Sequence, residues 1–309
     1  MLIIALIANL IIFAAAWALC VKLKNFSPVD AFWAYCIGLT AMFFLISENP
    51  STQQMIACIL ISLWSVRLGY YLSRRITKHH PSEDSRYRKL REIWNGKVNS
   101  MFLLFFLGQG LSVFVLALPF YLIAVDPYPT YDLFPILGTA IACIGLIGET
   151  LADHQMSKFK ASDPDPKSVC QIGLWKHSRH PNYFFESIIW IGFFVFALGS
   201  PWGWTAVYAP AIITYLLLKV TGIPPTEAAA LLRKGEAYRE QLYAWQFIYD
   251  LSTASNPGCK PLNDPLSLEM QGRPCGGAFE CARSFAALVH QRAVLPGCSE
   301  LSEPKPYPA

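Results

Sequence analysis

Apolar residues run in blocks of about twenty along the first 220 positions, broken by short polar stretches. Blocks of that length predict helices that cross a bilayer. Seven spans can be marked, at roughly 2–21, 30–47, 53–72, 101–125, 133–152, 183–198 and 203–219. The fold class is therefore all-α, a polytopic membrane helix bundle. The sixth and seventh spans are short and meet across Gly199-Ser-Pro-Trp-Gly203, a tight turn with an aromatic residue of the interfacial type. Past residue 219, Thr221-Gly-Ile-Pro-Pro225-Thr-Glu227 leads into an Ala-rich amphipathic segment too short and polar to span. Thr226 reads as its N-cap and Glu227 as a first-turn acid. This segment is expected to lie at the interface, folded back under the bundle.

The polar breaks assign sidedness. Segment 22–29 carries Lys22 and Lys24, segment 73–100 carries eight basic residues, and segment 153–182 carries five. The alternate loops, 48–52, 126–132 and 199–202, carry no Lys or Arg. Positive charge on alternate loops predicts an outside N-terminus and a cytoplasmic C-terminus, in a bacterial inner membrane or an equivalent endomembrane. The first span has no basic leader and no small-residue cleavage site, so it reads as a retained helix. The basic loop 78–97 is expected to lie on the anionic leaflet.

Composition sharpens this picture. The chain is 54% hydrophobic with a mean hydropathy of +0.35, and only 15% of its 309 residues are charged, against about 25% in soluble domains. A net charge of +4 sorted by loop gives no reason to expect a nucleic-acid partner. Nine cysteines occur without Cys-x-x-Cys spacing, so no disulfide framework follows. His79-His80 with Glu83 is an incomplete zinc set, and no metal is expected. From about residue 250 the periodicity fades and four of the cysteines appear among Pro, Gly and Ser. Residues 1–250 are expected to form the membrane domain and 251–309 a mostly disordered tail.

Chemistry concentrates in Gly173-Leu-Trp-Lys-His-Ser-Arg-His-Pro-Asn-Tyr-Phe-Phe-Glu186, set directly against an apolar run. His177, Arg179, His180, Asn182, Tyr183 and Glu186 fall within ten residues, a polar density that is costly at a membrane boundary unless it binds something. Pro181 suits a first helical turn, whose free amides and positive dipole end favour an anion. The fifth span ends with Glu149 and Asp153, spaced to share one helix face. Arg67, Lys160 and Arg179 are their candidate partners. Arg67 itself either snorkels or lines a polar cavity. Gly145 and Gly148 permit close helix approach.

Gly173-Leu-Trp-x-x-Ser-Arg-His-Pro-Asn-Tyr-x-x-Glu186, with Glu149-Thr-x-Ala-Asp153-x-Gln155 before it and Gly222-Ile-Pro-Pro-x-Glu227 after it, resembles the DUF1295 family. That family is similar to the C-terminal domain of steroid 5α-reductases. The Arg-His-Pro-x-Tyr core is shared with isoprenylcysteine carboxyl and phospholipid methyltransferases. The resemblance covers roughly residues 1–240 and implies a seven-helix bundle open to the cytoplasm, with a nucleotide held by the part spanning 133–240. By position, Asp153 would hold a ribose or amide group of NADPH, and Lys160 stands where the reductases carry a phosphate-binding arginine. Asn182 and Glu186 fall on the cofactor-binding asparagine and its glutamate neighbour, Arg179 and His180 on the shared pair. Tyr183 and Glu227 complete the set.

The chain also departs from the reductases. Trp64 stands in place of their substrate-polarising tyrosine, and no counterpart of their second-span glutamate occurs before Glu48. Tyr70, Tyr71 and His177 are the candidate proton donors. Past Glu240 the chain leaves the family's ending, and deleting 251–309 is expected to spare folding and activity.

Two functions are implied. One is NADPH-dependent reduction of a conjugated C=C bond in a lipophilic, steroid- or lipid-like substrate that enters from the bilayer. The other is S-adenosylmethionine-dependent methyl transfer to a lipid or prenylated group, with Glu186 and Glu227 near the sulfonium. Lys158, Lys160 and Lys167 favour the more highly charged NADPH. A membrane protein with a degenerate, non-catalytic pocket is the third possibility.

Overall fold

In this computed structural model, residues 1–235 and Tyr238 are described, apart from 128, 130, 131, 163, 164 and 166. All of them belong to one unit, Met1–Gln241. The tail expected to be disordered, 251–309, lies outside the described residues.

Helices account for the architecture, and no strand occurs among the described residues. They are α1 (Leu2–Leu23), α2 (Val29–Leu45), α3 (Thr52–His79), α4 (Ser85–Ile93), α5 (Val98–Ala124), α6 (Leu133–Ser162), α7 (Pro181–Ala197), α8 (Tyr208–Tyr215) and α9 (Ile223–Lys234). Five stretches are long and apolar enough to cross a membrane: α1, α3, α5, α6 and Gly203–Lys234. Helices α2 and α7 are apolar but shorter, at 17 residues each. Each expected span thus coincides with helix, while the bounds move. Helices α3 and α6 run on to His79 and Ser162, because their last turns carry polar residues that a hydropathy window discards but the backbone hydrogen bonds retain.

The last stretch is not one continuous α-helix. It comprises a 3-10 turn at Gly203–Val207, α8, a π-turn at Leu216–Val220 and then α9. Helix α9 begins at Ile223 with Gly222 as N-cap, so Thr226 lies inside the first turn and does not cap it. Pro224 and Pro225 lack N–H groups and fit where helical amides have no partner, which draws the start upstream.

Packing follows the small residues. In α6 the buried positions Pro135, Gly138, Ala142, Gly145, Glu149 and Ala152 recur every three or four residues, a seam that faces α7. A Cβ on Gly138 would stand 2.3 Å from the backbone nitrogen of Phe196, and one on Gly145 2.8 Å from that of Ile189. The close approach expected of Gly145 and Gly148 is present; a Cβ on Gly148 would enter the Phe185 ring. On the other side, α1 presents Ala5, Asn9, Phe13, Ala16 and Cys20 as one buried stripe. Asn9 there donates to Thr40 Oγ1 at 3.0 Å, satisfying a buried amide. Large apolar side chains such as Ile3, Ile7, Leu63, Val66, Ile144 and Ile147 point outward, as a hydrocarbon solvent requires.

The loop expected to lie on the leaflet folds into α4 and is strapped to the bundle. Asp84 caps it by accepting from the Arg86 amide at 3.0 Å. Tyr87 donates to Asp30 Oδ1 at 2.5 Å, Arg86 pairs with Asp30 at 2.7 Å, and Arg75 pairs with Asp84. Below it Phe26 stacks on Phe102 with centroids 3.7 Å apart, and Trp94 meets Phe102 edge-on.

Candidate functional site

The end of the bundle that carries the basic loops encloses a cavity of about 620 Å³. Its wall is built from the last turns of α3 and α6, the first turns of α2, α4 and α7, the first half of α5, the segment 169–180, and α8 to α9.

The segment leading into α7 is positioned by docking on α6. Gly173 takes a positive φ of 56° in close contact with Gln155, whose Oε1 accepts from the Leu174 amide at 2.9 Å. Trp175 Nε1 donates to the Ala152 carbonyl at 2.9 Å. With Trp175 turned inward, His177 is left exposed. Pro181 then opens α7 at its first position, as the sequence predicts, with His180 as N-cap.

From there the motif residues divide. Arg179 Nη1 pairs with Glu227 Oε1 at 2.9 Å, and His180 Nε2 lies 3.2 Å from the same oxygen. Tyr183 stacks on His180 and its hydroxyl meets Thr226 Oγ1 at 3.0 Å. These contacts clasp the start of α7 to the start of α9. One turn on, Glu186 is buried and accepts from Trp64 Nε1 at 3.0 Å and from Trp190 Nε1 at 2.9 Å. The indole at position 64 therefore holds a carboxylate instead of offering a proton to a ligand. Arg67 is the candidate partner that the two acids take: it pairs with Glu149 at 2.6 Å and with Asp153 at 3.0 Å.

Asp153, Lys160, Arg179, His180, Asn182, Tyr183 and Glu186 all line the cavity. Glu227 stands behind Arg179 and His180. Of the three candidate donors Tyr71 lines the cavity, whereas Tyr70 and His177 do not. Tyr70 is 59% exposed on the outer face of α3. The carboxamide oxygen of Asn182 is buried and has no hydrogen-bond partner among the described residues. The floor thus gathers acceptors: Glu149, Asp153, Glu186 and the Asn182 oxygen.

The rim gathers cations. Lys160, Arg233 and Lys234 line the cavity and make no ion pair among the described residues. They act on one another, Lys160 on Lys234 and Arg233 on both. Sequence reasoning missed Arg233 and Lys234, which lie on α9 far from the motif. It also missed Asp30, Arg86 and Tyr87; Asp30, the first-turn acid of α2, could have been singled out as an unexplained carboxylate at a span boundary.

A polytopic helical bundle with a charged cavity at one end of its membrane helices defines the class of this protein. Residues 16–244 match the model of the family described as "Protein of unknown function (DUF1295)", and the chain belongs to that family. It is 26% identical over 219 residues to an uncharacterized protein of Schizosaccharomyces pombe. That similarity covers 63% of this chain and 64% of the relative's length. No solved structure matches the chain.

Proposed function

We propose that the protein is an NADPH-dependent oxidoreductase that reduces a conjugated C=C bond of a lipophilic, steroid- or lipid-like molecule. The observation that carries this reading is the rim of Lys160, Arg233 and Lys234, three cations that make no ion pair among the described residues. Like charges gathered on one wall repel until an anion joins them, and a dinucleotide carrying an additional ribose phosphate supplies several. The acceptor-rich floor complements this rim. The unpartnered Asn182 oxygen, with Asp153 and Glu186, suits the N–H donors of a carboxamide.

Bound there, the nicotinamide would supply a hydride to the β-carbon of the substrate. The chain's own part is to hold and to protonate. Lys160, Arg233 and Lys234 hold the phosphates, and Arg179, fixed by Glu227, adds a fourth cation. Trp64 and Trp190 keep Glu186 from turning away. Tyr71, whose hydroxyl has no partner among the described residues, would donate a hydrogen bond to the enolate oxygen, and a proton from water, relayed by that hydroxyl, would complete the reduction at the α-carbon. The cationic rim lies on the side that the positive-inside pattern makes cytoplasmic.

The test is thermal unfolding of the purified protein with NADPH, NADH and S-adenosylmethionine side by side. A ligand at a hundredfold its dissociation constant stabilises by about 2.7 kcal/mol. Stabilisation by NADPH is expected, with less or none from the other two. A response to S-adenosylmethionine alone would transfer the assignment to methyl transfer, and no response to any would end the nucleotide reading.

A further inference from the structure

Beyond the charged rim and floor, the same cavity continues between α2, α5 and α8, where its wall changes character. Trp33, Phe105, Gln109, Ser112, Ile213 and Leu217 line this part. Phe105, Gln109 and Ser112 are spaced by four and three residues, so they share one face of α5. Gln109 lies eleven residues beyond Val98, about 16 Å along the helix at 1.5 Å per residue. That depth places a primary amide well inside an apolar helix. Leu216 and Leu217 of the π-turn also line the cavity, at a local widening of the kind that recurs at functional sites.

The other polar groups of this arm are occupied. Trp33 Nε1 donates to Ser112 Oγ at 2.9 Å, and Ser112 Oγ donates to the Gln109 backbone carbonyl at 2.8 Å. Tyr87 and Asp30 hold each other. The Gln109 side-chain amide has no hydrogen-bond partner among the described residues. Gln109 is half-buried and its amide opens onto the cavity, where intramembrane polar groups of this kind face the group they recognise.

We propose that this arm receives an elongated lipophilic molecule carrying a carbonyl or hydroxyl oxygen, and that the Gln109 amide selects it by hydrogen-bonding that oxygen. The inference rests on the cavity being a ligand site and deepens the proposed function by naming what distinguishes its substrate. Aliphatic and aromatic walls accept any apolar body of suitable width, so discrimination falls to the one open amide described in the arm. An amide both donates and accepts, which lets it take either oxygen type. The Gln109 amide is a specificity determinant, separate from the groups that hold the nucleotide.

The experiment uses the full chain in lipid nanodiscs and two matched probe pairs: a long-chain methyl ketone with the alkane of equal length, and a steroid enone with the corresponding steroid hydrocarbon. Binding is read by thermal shift across a concentration series. The wild type is expected to bind the oxygen-bearing member of at least one pair about tenfold more tightly than its hydrocarbon. Gln109→Leu removes that preference while leaving hydrocarbon binding unchanged. Gln109→Met, closer in length, is the second variant should Gln109→Leu fold poorly. Equal affinity of the wild type for both members of each pair would overturn the proposal, as would an unchanged preference in a folded variant. NADPH stabilisation is measured on the same samples. A wild type that answers the oxygenated probe but no nucleotide sinks the reductase reading alone, and the reverse sinks only the role of Gln109.

Discussion

Glu186 accepts from two indoles at once, and that geometry fixes what its replacement does. In Glu186→Gln the amide oxygen serves one indole, while the amide nitrogen meets the other N–H as a second donor. Loss of one charge-assisted bond and exposure of an unmatched donor pair predict a destabilisation of about 2–3 kcal/mol, read as a lowered Tm. NADPH stabilisation is expected to vanish with it. Trp64→Phe keeps the ring packing and removes one donor, so it should cost less than Glu186→Gln. Arg67 is more sensitive. Among the described residues it makes the ion pairs of both Glu149 and Asp153, and Arg67→Met leaves the two carboxylates without them. A loss of about 3–5 kcal/mol is expected, measured by thermal or chemical unfolding in detergent.

At the scale of elements, two contacts decide whether the site exists. Helices α6 and α7 approach so closely that a Cβ on Gly192 would stand 2.5 Å from the Ala142 backbone nitrogen. Gly192→Ala must push the helices apart, at a cost of about 1–3 kcal/mol. Because Asp153 and Glu186 sit on the two helices, the same variant should weaken NADPH binding while a matched Gly108→Ala, with open space around it, leaves both readouts unchanged. Helix α4 depends on Asp84. Burial alone would raise the Asp84 carboxyl, but the hydrogen bonds and charge of Arg86 and the charge of Arg75 hold it well below the usual carboxylate range. A depressed folded value means that this contribution is fully present above about pH 4 and is lost only as pH falls through the lower folded value. Asp84→Ala also removes the cap, so α4 should loosen by about 1 kcal/mol. Amide exchange of residues 85–93 is the measurement, with faster exchange in the variant expected at neutral pH.

On the scale of the whole molecule, charge is sorted along one axis. Cations form the rim and acceptors the floor, so a ligand with an anionic tail and an N–H-bearing head is oriented on entry. If the cavity holds NADPH as proposed, replacing Lys160 and Arg233 together by Gln removes two of the cations that would hold its phosphates. The expected result is an NADPH affinity lowered more than tenfold, with the preference over NADH reduced. The wild-type affinity should also fall as salt rises, and the double variant should show a flatter salt dependence.

The helical stretches were legible because hydrocarbon imposes them: a chain with apolar blocks of about twenty residues must satisfy its own backbone, and helix does so locally. The Arg179 to Glu186 motif and the Glu149–Asp153 face were legible for the same reason, since periodicity and a membrane boundary make polar clusters stand out. The partners of those residues were not. Whether Trp64 gives its N–H to a ligand or to Glu186 depends on α3 and α7 meeting, 122 positions apart in the chain. Arg233 and Lys234 of α9 line the same cavity as the motif on α7, Tyr87 of α4 meets Asp30 of α2, and Gln109 of α5 shares the cavity with Leu216 and Leu217. Such contacts carry no local periodicity, so sequence alone determined which segments would be helices and where polar chemistry would gather. Tertiary packing decided which of those groups spend their hydrogen bonds on each other and which remain open to a ligand.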